Sequence, residues 1–235
     1  MAVAYVDGQH TGDVDGFVTS TSIGSNLSIT GSDICIVAHT MNSDGDADPG
    51  TAPSGVTFDT PTAQNLTSQV DQVGTAVRVN LWTLLAPTGT TDTVTATWSG
   101  SQTRAWVCAS SYSGVDSIGN TQSSSGTSGE PSLTVTGVGD DDMVADIVGT
   151  FGGTTSFTVG ANQTKILDST TFHSYYVTEA STSYQDGVNG GVMEWTTNNS
   201  LDWAHAALAL LAPAASVSIP VIMNHRRQMN QISLG

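Results

Sequence analysis

The sequence predicts an all-β fold: a two-sheet, jelly-roll-like β-sandwich followed by a short C-terminal extension. Three observations carry this. Strand-type segments fill almost the whole chain, separated about every 10–15 residues by Gly, Asn, Asp, Ser or Pro turn signals. Helix formers are scarce, with Glu130, Glu179 and Glu194 the only glutamates and Lys165 the only lysine. Apolar residues make up 38% of 235 positions, enough for a sizeable core.

The elements follow in order. Residues 33–40 form a near-continuous apolar run, the pattern of a strand buried on both faces. Residues 75–84 alternate strictly, with Val77, Val79 and Leu81 on one face and Arg78, Asn80 and Trp82 on the other. Residues 91–98 are threonine-rich and alternating, which suits a half-exposed pleat. A turn at residues 99–101 then leads into a strand over 104–112. Further strands are expected at 132–136, 142–151, 171–178, 191–197 and 201–211, giving about 10–13 in all. An acidic stretch at 41–54 and a Ser/Gly stretch at 119–129 read as flexible connections within the domain. The expected core includes Ile34, Ile36, Val79, Leu81, Val107, Val144, Ile147, Leu208 and Leu210. The sandwich domain is placed at residues 1–212 and the extension at 213–235.

Charge narrows the function classes. Five bases stand against 21 acids, a net charge of −16, and surface polarity falls to 34 Thr and 28 Ser. Such a chain lacks the clustered Lys and Arg that phosphate binding requires, so nucleic acid is excluded as a partner and anionic membranes are disfavoured. No apolar run reaches the roughly 18–20 residues of a membrane span. The first residues show neither the basic nor the long apolar region of a secretory signal, so synthesis in the cytoplasm without a signal peptide is expected. Cys35 and Cys108 lie in apolar strands and are expected to be reduced, buried thiols.

Few residues point to chemistry. Asp44, Asp46 and Asp48 alternate like the opening of a calcium loop, but Pro49 occupies the position that needs glycine and Gly55 the position that needs glutamate. A solvated acidic turn is the plainer reading; calcium is the one cofactor with any motif behind it. The triplet 140–142 reads as an acidic turn. His10, His39, His173, His205 and His225 show no zinc spacing, and His39 and His205 sit on strands as satisfied or rim histidines. No nucleophile elbow appears, and no pair of carboxylates stands out for glycoside hydrolysis, so no enzyme is expected. Trp82 shares its face with Arg78 and Asn80, making it the candidate for a sugar or partner contact, whereas Trp106 and Trp203 suit the core. Sequons at Asn26, Asn65, Asn162 and Asn198 match chance in so Ser/Thr-rich a chain.

The order of segments carries a resemblance. Leu81-Trp82 runs into LLAPTG, followed by DTVTATWSG from Asp92, SYSGVD closing at Asp116, MVADIVGT from Met143 and DWAHAALAL from Asp202. Over residues 25–212 this resembles an all-β sandwich module of tailed-phage virion proteins and repetitive bacterial surface proteins. The resemblance brings no catalytic motif. It implies a non-enzymatic structural virion protein, such as a capsid decoration or fibre-like subunit displayed on the virion surface. The expected partners are copies of itself and other virion proteins such as the major capsid protein. The alternative is a glycan-binding surface module or adhesin. The extension holds two of the four arginines and no acid, and Val221, Ile222, Met223, His225, Arg226, Arg227 and Met229 mark it as the expected assembly element.

Overall fold

The protein is described by a computed structural model, which covers residues 1–10, 14–22, 27–43, 48–59, 62–153, 156–173 and 176–214. The first half of the chain supplies β1 (Ala4–His10), β2 (Val14–Ser22), β3 (Leu27–Ser28), β4 (Cys35–Ser43), β5 (Gly55–Phe58), β6 (Gln64–Asn65), β7 (Thr67–Val73), β8 (Arg78–Leu85), β9 (Thr91–Asp92) and β10 (Val94–Ser113). The second half supplies β11 (Ser117–Gly126), β12 (Ser132–Thr134), β13 (Met143–Phe151), β14 (Phe157–Val159), β15 (Gln163–His173), β16 (Tyr176–Asp186), β17 (Val192–Thr197) and β18 (Asp202–Leu211). A 3-10 turn at Gly187–Asn189 is the one helical element among the described residues.

All pairings among the described residues are antiparallel, and the expected all-β sandwich is present. The first sheet runs β6-β5-β10-β4-β8-β7, with β1 and β2 along the other side of β10. The second runs β11-β18-β13-β16-β15. A small cover sheet, β12-β17-β14, lies on the outer face of the second. The main core fills the space between the two large sheets: Val37, Leu81, Trp106 and Cys108 from the first meet Ala145, Ile147, Ala206 and Leu208 from the second. At Gly149 of β13 the sheets approach so closely that a Cβ would meet Val79 Cγ1 at 2.9 Å, which is why a residue without a side chain stands there.

The central strands of neither large sheet face water on their outer side. The first sheet's outer face packs Ile36, Ala38, Val107 and Ala109 against Val56, Phe58, Val94 and Trp98, because the early half of β10 and the β5–β6 hairpin fold over it. The second sheet's outer face is covered through Leu133, Val135 and Met193. This double burial explains the apolar runs, since every residue of β4 and β13 is buried. All nine expected core residues are buried.

Four expectations are corrected. Residues 99–101 form no turn: β10 continues through them, and the extra residues are absorbed as a register shift against β2 between Thr97 and Gln102. The Gln102 amide donates to the Gly100 and Ser101 carbonyls, holding the irregular stretch within the strand. The Ser/Gly stretch is largely strand β11, paired with β18. Its glycines answer to their neighbours, for a Cβ at Gly126 would meet the Trp203 ring at 2.8 Å. The strand expected at 171–178 spans the junction between β15 and β16. Eighteen strands among the described residues replace the expected 10–13, because bulges and short edge pairs divide the chain more finely than turn signals do.

Both cysteines are free and buried. Cys35 stands opposite Tyr112 and Cys108 opposite His39 on the β4–β10 ladder, so four rungs separate them. That is roughly 13 Å along the strands, beyond the ~7 Å Cα limit for a disulfide. Thiol titration of the unfolded, unreduced protein is expected to return both thiols; finding neither would refute this arrangement.

Candidate functional site

The alternation of β13 sends Ala145 and Ile147 toward the first sheet and Val144, Asp146 and Val148 toward the cover. Asp146 is therefore a carboxylate inside a layered apolar body, with no exposed surface. A buried ion of this kind must have every lone pair satisfied. Oδ1 accepts the Ser183 backbone N–H at 3.0 Å and the Ser183 hydroxyl at 2.7 Å. Oδ2 accepts the Trp195 indole N–H at 2.7 Å and lies 2.8 Å from His205 Nε2. Nδ1 is the His205 nitrogen without a partner, which fits a tautomer that donates from Nε2. Gln163 extends the cluster, donating to Ser183 Oγ at 3.0 Å and accepting the Glu194 N–H at 2.7 Å. One carboxylate thus ties together β13, β16, β18 and β17, joining the second sheet to its cover.

Serine, histidine and aspartate meet here, but in the wrong order for catalysis. A nucleophilic serine needs the imidazole as its base, with the carboxylate behind the imidazole. Here the carboxylate lies between the other two, and Ser183 gives its hydroxyl proton to Asp146. Ser183, Asp146 and His205 all have no exposed surface, so no substrate reaches them. The arrangement fixes strands.

A second buried chain lies on the core side of the first sheet. His39 Nε2 is 2.9 Å from Ser110 Oγ, which donates to the Tyr112 hydroxyl at 3.1 Å. Burial pushes the His39 imidazole down to about 4, with the charge of Asp146 pulling less strongly the other way. Burial pushes both thiols up to about 12, so neither is a thiolate at neutral pH. Tyr5 stacks on Tyr184 at 4.8 Å and meets the edge of Tyr112 at 5.9 Å, closing this end of the core.

On the solvent side of the cover sheet lies a groove of about 280 Å³, lined by Glu130, Pro131, Ser132, Glu194, Trp195 and Thr196. Two of the chain's three glutamates meet there, a convergence no motif announces. Trp195 is only 1% exposed and turns its indole N–H inward to Asp146, so it offers no stacking face.

The candidates read from the sequence fare unevenly. Trp82 does lie on the face opposite Leu81, but that face is covered: Trp82 is 9% exposed and packed in the outer-face cluster of the first sheet. It is not a surface contact. All five tryptophans are in fact buried, so none of them offers a stacking face to a sugar. His39 and His205 are buried rather than at a rim, each hydrogen-bonded through Nε2. Asp48 is exposed and its carboxylate accepts the Gly50 N–H at 2.8 Å, a local turn contact. Asp44 and Asp46 lie outside the described residues, as do Val221, Ile222, Met223, His225, Arg226, Arg227 and Met229. Among the described residues no three His, Cys, Asp or Glu side chains gather as a metal site. Among the described residues no helix is long and apolar enough to cross a membrane.

Asp146 was legible in principle. A lone charge inside the run MVADIVGT signals a buried partner, and His205 inside an equally apolar run is its match. No family model, curated protein or solved structure matches the chain, so the resemblance read from the strand order stands on that order alone.

Proposed function

We propose that this chain is a non-enzymatic structural subunit, a virion protein of a tailed virus that assembles in copies through its C-terminal extension. The observation that carries the reading is the use of its reactive side chains. Asp146, His205, Ser183 and His39 are all buried and spent on joining layers, while the outside is left to Ser, Thr and acids. A body bonded this way is rigid, hydrated and mutually repulsive away from its contacts, which suits dense display on a particle.

Two measurements test it. Electron microscopy of the native source material is expected to place the chain in a repeating array on particles. Truncation after Pro213 is expected to leave the melting profile unchanged, since the last strand ends at Leu211 and the Ala212 N–H is held by Asp142, while association is lost. Normal assembly by the truncated chain would remove the extension from this role.

A further inference from the structure

Both ends of the described body are fastened to one turn. The Val3 N–H donates to the Asp141 carbonyl at 2.8 Å, and the Ala212 N–H donates to Asp142 Oδ1 at 2.8 Å. Asp142 also accepts the Gly139 N–H through Oδ2 at 2.7 Å and the Gly187 N–H through its carbonyl at 2.8 Å. One residue thus holds the approach to β13, the end of β16 and the exit of β18. Ala212, where the described body ends, therefore lies at this pole beside Val3.

The same pole carries most of the exposed apolar side chains. Among the described residues the large exposed ones are Met1, Val73, Leu85 and Val188. Val188 follows Gly187 in the turn that Asp142 holds. Leu85 pairs with Cys35 at the start of β4. Met1 lies against Ser32, whose carbonyl accepts the Gly114 N–H at the end of β10. Only Val73 belongs to the far end, where Asp202 holds the Ala76 N–H at 2.7 Å.

We infer that this pole, marked by Met1, Leu85 and Val188 beside the Asp141–Asp142 turn, is the surface on which residues 216–235 of a second copy dock. The inference deepens the structural-subunit reading and rests on it. The first 214 residues hold all 21 acids and three of the five bases, a net −18. Those three bases are occupied: Arg78 pairs with Asp71, Lys165 with Asp168, and Arg104 is buried over the Phe151 ring. The extension brings Arg226, Arg227 and no acid, together with apolar residues such as Val221, Ile222 and Met223. Asp33, Asp116, Asp140, Asp141 and Asp186 are exposed on the turns and strand ends of this pole, so charge and apolar character are complementary between it and the extension, and a copy facing another pole-to-pole satisfies both.

The test uses the full chain with one added cysteine, the native pair being buried and unreactive. Val188→Cys at the pole and Ser200→Cys at the far end, both exposed turn positions, are each coupled to a maleimide polyethylene glycol. Sedimentation is expected to show association weakened at least tenfold by the label at 188 and unchanged by the label at 200, with both proteins melting as the unlabelled chain does. Equal association of the two conjugates, or loss only with the label at 200, overturns the docking surface. If truncation after Pro213 abolishes association while the label at 188 does not, the structural reading stands and this surface falls. A full chain that stays monomeric at all concentrations overturns both.

Discussion

Replacing Asp146 with alanine is expected to destabilise the fold by about 3–5 kcal/mol, since four buried donors lose their acceptor at about 1 kcal/mol or more each. For a chain of this size that is a fall in melting temperature on the order of 10 °C. The reason lies in what the carboxylate leaves behind. Two Ser183 donors, the Trp195 indole and His205 Nε2 all lose their acceptor in a space with no water exposure. Asp146→Asn should fall between wild type and Asp146→Ala. Its amide oxygen can still accept both Ser183 donors, but its NH2 then confronts the Trp195 N–H, donor against donor.

That clash gives a sharper test than the single variants. Trp195→Phe removes the confronting donor, so it should cost less in the Asp146→Asn background than in wild type. A double-mutant cycle is expected to show coupling of about 1 kcal/mol or more. Denaturant unfolding that places Asp146→Ala within about 0.5 kcal/mol of wild type would mean the carboxylate does not hold the cover sheet.

The fold class was legible because strand signals are local. The alternation in residues 75–84 put Leu81 and Trp82 on opposite faces, and the structure keeps them there. What alternation could not say is whether a face meets water. The face carrying Trp82 is covered by the β5–β6 hairpin and by the returning half of β10, and that cover is set by pairings between residues far apart in sequence. The same limit made Ser99–Gly100–Ser101 read as a turn: small polar residues favour both turns and bulges, and the partner strand decides between them. Asp146 shows the converse case. Its burial was written in the apolar residues around it, but its partners came from strands 37, 49 and 59 residues away. Spacing motifs do not register such distances.

His39 supplies the second large effect, and its sign can be worked out. The unfolded imidazole takes a proton near pH 6.5, whereas burial holds the folded one down to about 4. Between those values the unfolded chain binds one proton more than the folded chain, so stability falls as pH falls. The contribution is complete above pH 6.5 and is lost progressively down to about pH 4. With 1.36 kcal/mol per pH unit, the loss is roughly 3 kcal/mol. The groups facing His39 reinforce the direction. Cys108 and Leu81 stand opposite it on β10 and β8 and bring no charge, and Ser110 is its hydrogen-bond partner. Asp146 opposes the shift through its charge and its backbone carbonyl, but burial outweighs both, and its carboxylate is already committed to Ser183, Trp195 and His205. His39→Gln keeps a donor for Ser110 and removes the titration. Its stability curve should therefore start lower at pH 7 and then decline less steeply than wild type from pH 6.5 to 4, until the two nearly meet. Denaturant melts at half-unit pH steps read this directly, and parallel curves through that window would show that His39 is not the group that senses acid.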